Sequence, residues 1–180
     1  LNRHFFLAQA FRSQYDGAMK TLPNLTTGIT INRVEIWVTN KTGTTNNTRN
    51  IVALSDLGEN TKVSRTDLWG GGSGSVPSNA ANSEYNTIAQ NHPEARDIDK
   101  SATVLDGLGL VGGVDYEKLS NARLLNSSEY TVNQALGYVS LRTGLQTDQV
   151  LAIAYEYTSG GVTYQVGEFA SDRTNVAEAL

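Results

Sequence analysis

The side chains that come closest to a catalytic pattern are carboxylates in the second half of the sequence. A glycosidase needs two carboxyl groups within about 10 Å of each other across a cleft. The candidates are Asp97, Asp99, Asp106, Asp115 and Glu117. Asp97 and Asp99 also resemble the start of a calcium loop, but the oxygen ligands and glycine that should follow are missing. Helix capping and solvated turns explain these acids more simply, so a glycosidase using Asp97 and Asp115 is a distant alternative.

The other reactive side chains form no active-site motif. The two histidines, His4 and His92, are far apart and make no His-x-x-x-His pair, and the chain has no cysteine. The glycine-rich residues 70–75 lack the lysine of a phosphate-binding loop and the strand that precedes a hydrolase nucleophile. The sequence therefore predicts a protein that is not an enzyme, with no catalytic, metal-binding or cofactor-binding residues and no cofactor.

Aromatic side chains suggest the main alternative function. Stacked on a sheet surface, they would form a platform for sugar rings, although aromatics on strands more often fill a core or pair across strands. A cell-surface carbohydrate-binding or adhesin module is therefore the alternative to a structural role. The aromatic residues concerned are Trp37, Trp69, Tyr85, Tyr130, Tyr138, Tyr155, Tyr157 and Tyr164.

Composition argues against several classes of protein. The chain has 180 residues, the length of one domain, and a net charge of −4. Nucleic-acid binders usually carry a basic surface, and a membrane helix needs about 20 apolar residues, which no stretch provides. We therefore expect no nucleic-acid partner and no direct membrane insertion. Charged residues make up only 18% of the chain, and Asn, Thr, Ser and Gly replace them, as in many secreted and cell-surface β proteins.

The elements that must position these side chains begin with a helix and a strand. Apolar residues near 3.6-residue spacing predict an amphipathic helix over residues 3–22, which Pro23 ends. Residues 29–39 alternate as a strand. The alternation predicts that the odd-numbered residues share one face and that Val34, Ile36 and Val38 line the other.

The remainder of the chain predicts short helices and then strands. Residues 58–95 are polar and rich in loops, with a possible short helix over residues 81–90, and Asp97 is the N-cap of a second helix. A polar tail, residues 171–180, is expected to fray. The strands that follow residue 116 span residues 118–125, 130–132, 138–141, 150–158 and 162–169, the last two joined as a hairpin by Gly160 and Gly161.

These elements predict an α+β fold. It consists of an antiparallel β-sheet or small sandwich, with an N-terminal helix and one or two short middle helices packed on it. The chain is expected to form a single domain over residues 1–180, with a flexible, loop-rich insert at about residues 58–95.

Six segments, in order along the chain, resemble segments of the SprA/Sov family of Bacteroidetes. The similarity covers almost the whole chain and is weakest over residues 58–95. The longest segment reads Ile31-Asn32-Arg33-Val34-Glu35-Ile36-Trp37-Val38-Thr39-Asn40. The others are residues 3–9, 50–54, 115–119, 136–141 and 164–169.

The resemblance implies a role in the cell outer membrane. Members of the family are giant β-barrels of the type IX secretion and gliding motility machinery, and the family offers no catalytic residues to carry over. It implies that this chain is a soluble segment excised from a larger polypeptide, on the extracellular or periplasmic side. Its expected work is that of a non-catalytic structural and interaction module that buttresses the barrel. Its expected partners are the remainder of the translocon chain, accessory secretion subunits and secreted cargo proteins.

Overall fold

Two antiparallel sheets organise the protein, which confirms the predicted α+β class. The structure is a computed structural model that describes residues 2–70, 74–173 and 177–180. One sheet has three strands in the order β1-β6-β5, and the other has five in the order β3-β4-β2-β7-β8. The strands are β1 (His4–Phe6), β2 (Ile29–Val38), β3 (Thr48–Leu54), β4 (Tyr116–Leu124), β5 (Tyr130–Asn133), β6 (Tyr138–Leu141), β7 (Leu151–Ser159) and β8 (Val162–Val166).

The helices are short, and most lie in the middle of the chain. They are α1 (Gln9–Met19), α2 (Thr66–Trp69) and α3 (Ile98–Gly107), with a π-helical turn (Asn86–Gln90) and 3₁₀ turns (Pro93–Arg96 and Ala170–Asp172). The predicted N-cap is confirmed, because the Asp97 side chain accepts a hydrogen bond from the Asp99 N–H at 3.1 Å. The predicted N-terminal helix begins later than expected, because the residues before α1 pair with β6 as a strand.

A β-bulge in β2 corrects the predicted division of its faces. Ile31 pairs with Tyr157 of β7, but Arg33, two residues further along β2, pairs with the next residue of β7, Glu156. The extra residue, Asn32, shifts the alternation by one. Ile31 therefore shares a face with the even-numbered residues 34, 36 and 38, and the prediction that odd and even residues lie on opposite faces throughout was wrong.

This joined apolar face of β2 contacts two different elements. Near its start, Ile31 packs with Phe11 of α1 and with Tyr157, whose ring centroid is 5.1 Å from that of Phe11. Towards its end, Ile36 packs against Val139 of β6 in the second sheet, and both side chains are fully buried. The bulged strand is thus the common support of α1 and of the three-stranded sheet.

The middle segment and the end of the described chain cover β3. Ile88 and Leu105 are fully buried in a core that also contains Val52 of β3. Residues 177–180 join this core, since the Ala179 N–H donates to the Arg96 carbonyl at 2.8 Å and Ala179 is fully buried. The expectation of a fraying tail was therefore wrong for these residues, because tertiary hydrogen bonds fix a segment that has little local preference of its own.

Within the described residues, no helix has both the length and the apolar character needed to cross a membrane.

The turn between β5 and β6 provides a test of the packing of α1. Gly137 has a φ of +68°, and a Cβ there would lie 2.5 Å from Cδ2 of Phe11. We expect Gly137→Ala to lower the free energy of unfolding by about 2–5 kcal/mol, through left-handed strain and overpacking together. Chemical denaturation at 25 °C would measure the loss.

Gly160 is the matched control. It also has a positive φ, +58°, but no atom lies within 4 Å of a Cβ built there. Gly160→Ala should cost only the strain of the left-handed backbone, about 1–2 kcal/mol. Equal losses in the two variants would show that α1 does not pack against the Gly137 turn.

Candidate functional site

A cleft opens where the two halves of the five-stranded sheet separate. β4 pairs with β2 only at Trp37 and Val38, near the end of each strand, so elsewhere β3 and β4 are not paired with β2 and β7. The opening contains a cavity of about 190 Å³. Its walls come from residues 51–54 of β3, residues 151–155 of β7 and the π-helical turn with Ile88. We call this cavity and its walls the β3–β7 cleft.

A buried carboxylate network forms one end of the β3–β7 cleft. Glu168 accepts hydrogen bonds from the Tyr85 hydroxyl at 2.9 Å, from Arg96 Nη2 at 2.6 Å and from Arg173 Nη2 at 2.9 Å. The Glu168 side chain is only 6% exposed. Burial, together with the Glu168 charge, raises the pKa of the Tyr85 hydroxyl, which therefore stays a hydrogen-bond donor. The network ties the end of β8 to the middle segment.

A second acid lining the β3–β7 cleft, Glu59, is only partly satisfied. Its Oε1 accepts from the Gln9 N–H at 3.0 Å, whereas Oε2 is buried without a hydrogen-bond partner among the described residues. Burial raises the pKa of Glu59, helped by the negative charge of Asp56 and opposed by the hydrogen bond from Gln9. The free oxygen is therefore available to a donor that enters from outside the chain.

Glu84 is the most unusual acid of the protein. It is 1% exposed, and neither carboxylate oxygen has a hydrogen-bond partner among the described residues. Burial, together with the charges of Asp56 and Asp115, raises the pKa of Glu84 to about 8. The carboxyl group of Glu84 therefore holds a proton at neutral pH.

The two acids that act on Glu84 are themselves well bonded. Asp56 accepts from the backbone N–H groups of Ser64 and Arg65, at 2.7 and 2.8 Å. Asp115 accepts from Nη1 of Arg65 at 2.6 Å and from the Val111 N–H at 2.9 Å. One arginine thus links both acids, and the cluster connects the loop after β3 to the loop before β4.

The carboxylates that the sequence suggested as a catalytic pair have structural partners instead. Asp97 caps α3, as described above, and Asp115 is ion-paired with Arg65. Asp106 accepts a hydrogen bond from the Tyr116 hydroxyl at 2.8 Å. Asp99 is exposed on α3 and Glu117 is half-buried on β4.

Neither histidine lines the β3–β7 cleft. Nδ1 of His4 is 2.7 Å from Ser140 Oγ, and Nδ1 of His92 is 3.3 Å from Glu94 Oε1. Residues 71–73 fall outside the described residues. Across the described part of the chain, no group of three or more His, Cys, Asp or Glu residues is placed to hold a metal ion.

Half of the proposed sugar platform lies in cores. Trp37 is 6% exposed, and its Nε1 donates to Glu35 at 2.9 Å. Trp69, Tyr155 and Tyr157 are also buried. The aromatic side chains that stay half-buried are Tyr85, Tyr130, Tyr138 and Tyr164.

Sequence reasoning missed the acids that the fold brings to the site. Glu59 and Glu84 stand in mainly polar surroundings in the sequence, whereas Glu168 stands between Gly167 and Phe169, and for all three a solvent-exposed position is the usual expectation. No local signal marks them, because their burial depends on segments far away in the sequence. No family model matches this chain, and no curated protein matches it.

Glu84 predicts an unusual dependence of stability on pH. Its pKa is about 8 in the folded chain against about 4.3 for an unperturbed Glu, so the folded state binds more protons between these values. Stability due to Glu84 should therefore fall as pH rises through this window. The free energy of unfolding of Glu84→Gln, relative to that of the wild type, should therefore rise by at most about 1.4 kcal/mol per pH unit from pH 5 to 8. Urea denaturation at several pH values measures this, and two parallel stability curves would contradict it.

The Glu168 network predicts a large loss of stability when the Glu168 side chain is truncated. Glu168→Ala leaves Arg96 buried beside no carboxylate, which typically costs about 3–5 kcal/mol. Thermal and urea denaturation measure the loss. The matched control is Asp148→Ala, which removes the partner of Lys41 in an exposed pair and should leave the transition almost unchanged. Similar losses in both variants would show that burial of the Glu168 network is energetically unimportant.

Proposed function

We propose that this chain is a non-catalytic structural and interaction module of an outer-membrane secretion translocon of the SprA/Sov type. The observation that carries the proposal is the resemblance of six segments, in order, to that family. Under this proposal the module buttresses the barrel and contacts accessory subunits or cargo. It belongs to type IX secretion and gliding motility at the cell outer membrane, on the extracellular or periplasmic side.

The position of the six segments in the fold supports the proposal. Five of the six segments contain all or most of one strand, namely β1, β2, β3, β6 and β8, and the sixth contains the first four residues of β4. The resemblance is weakest over residues 58–95, and the described residues of this range lie in loops and short helices next to β3. A resemblance concentrated on the sheets is what a shared framework with a variable cover would produce.

Non-covalent contacts between segments that are distant in the sequence suit a module that bears mechanical load. Arg33 of β2 lies 3.8 Å above the Phe169 ring and pairs with Asp172 at 2.9 Å. On the same strand, Glu35 accepts a hydrogen bond from the Ala170 N–H at 2.8 Å.

A second set of contacts holds the middle loop. Asn79 bonds to both the N–H and the carbonyl of Gly167, at 2.8 and 3.1 Å. These contacts hold the loops against the sheets and favour a rigid support.

The surface also offers apolar side chains to a neighbour. Val111 and Val114 flank the Gly112–Gly113 turn and are 53% and 71% exposed. Leu22, after α1, is 53% exposed. Such side chains are available for contacts with the remainder of the translocon chain.

Deletion of the module from the full-length translocon protein tests the proposal. We expect the in-frame deletion to impair export of type IX cargo and to reduce gliding, because the barrel loses a support or a contact surface. Cargo in the culture medium and colony spreading are the measurements.

The control is the amount of translocon protein in the outer membrane, which must match the wild type. A second control is Gly160→Ala, which alters one exposed turn and should leave export intact. Normal secretion and gliding in a stably expressed deletion strain would overturn the proposal.

A further inference from the structure

On the edge that faces away from β2, β7 is paired with β8 along only part of its length. The Thr39 N–H donates to the Val150 carbonyl at 3.1 Å, which fixes the side to which each β7 residue directs its backbone groups. Because these groups alternate along a strand, Ala152 and Ala154 bond towards β2. The N–H and C=O groups of Leu151 and Ile153 point to the opposite side, where β8 lies for the later part of β7.

β8 does not reach Leu151 and Ile153. The last pair between the two strands is Tyr155 with Val166, after which the chain turns at Gly167, with a φ of +79°. Among the residues that the structure describes, Leu151 and Ile153 have no backbone partner on this side. Both residues line the β3–β7 cleft and are half-buried. Backbone groups that lie below the surface are normally paired, so this edge is suited to a partner.

On the opposite wall of the β3–β7 cleft, the outer edge of β3 already has a backbone partner. The Val52 N–H of β3 donates to the Ala179 carbonyl at 2.6 Å, so the outer edge of β3 carries a backbone segment from elsewhere in the chain. The β7 edge across the cleft has the same kind of unpaired groups without such a segment.

The chemistry of the walls limits what fits beside β7. Ala152 and Ala154 contribute small side chains, and the cavity of about 190 Å³ compares with the roughly 150 Å³ that holds one benzene molecule. It therefore accepts one aliphatic side chain. The Glu168 charge is already matched by Arg96 and Arg173, whereas Glu59 has one unpartnered oxygen. A donor or a cation is the complementary group at that point.

We propose that the free edge of β7 at Leu151 and Ile153 binds an extended peptide segment of a partner protein by strand addition. Backbone hydrogen bonds to the two residues provide the affinity, as in other peptide-binding sheets. One aliphatic side chain enters the cavity, and a lysine or another donor is preferred near Glu59. The site is defined by the β7 edge and does not depend on the larger assembly that the module serves.

The probe is the peptide acetyl-Thr-Val-Lys-Val-Thr-amide, added to the 180-residue chain. The readout is residue-resolved amide hydrogen exchange by NMR. Without peptide, the amides of Leu151 and Ile153 should exchange faster than those of Ala152 and Ala154, which are bonded to β2. With peptide, exchange at Leu151 and Ile153 should slow at least about tenfold, whereas Ala152 and Ala154 serve as the internal reference.

A peptide of the same sequence with every backbone nitrogen methylated is the matched control. It keeps the side chains but cannot donate backbone hydrogen bonds, so it should bind at least about tenfold more weakly. Equal binding of the two peptides, or binding that leaves Leu151 and Ile153 unprotected, would overturn strand addition. Toluene is the second control. If toluene occupies the cavity and the peptide does not bind at millimolar concentration, the cleft is a packing cavity and the proposal fails.

Discussion

One extra residue in β2 governs how the rest of the structure packs. Because the bulge at Asn32 shifts the alternation, Ile31 and Val34 lie on the same face of the sheet. A continuous apolar surface therefore runs along β2, with α1 on one part and the second sheet on the other. The opposite face keeps Glu35 and Trp37, which bond to each other and pack against neighbouring strands and the segment that follows β8.

The protein has few charges but places several of them inside. Glu168 and Arg65 each join segments that are far apart in the sequence, at distances of 2.6–2.9 Å. Losing one partner leaves the other buried and unpaired, so such groups constrain which segments can lie together. Glu84 follows a different rule. It has no partner among the described residues and avoids the cost of a buried charge by keeping its proton.

The separation of the two halves of the five-stranded sheet leaves a cavity and a short unpaired edge of β7. By contrast, the outer edge of β3 bonds to Ala179, and the end of β8 bonds to Asn79. A sheet with an unpaired edge beside a cavity can hold its own shape and still accept an extended chain.

The sequence by itself determined most strands, the α3 cap at Asp97 and the hairpin at Gly160 and Gly161, because alternation, capping and turn chemistry are local. Tertiary structure decided the rest. The first strand forms because β6 pairs with it, and Ala179 is buried because β3 and Arg96 bond to it. The β2 bulge, the buried acids and the open edge of β7 depend on which strands meet and where their pairing stops, and no local pattern of residues encodes that.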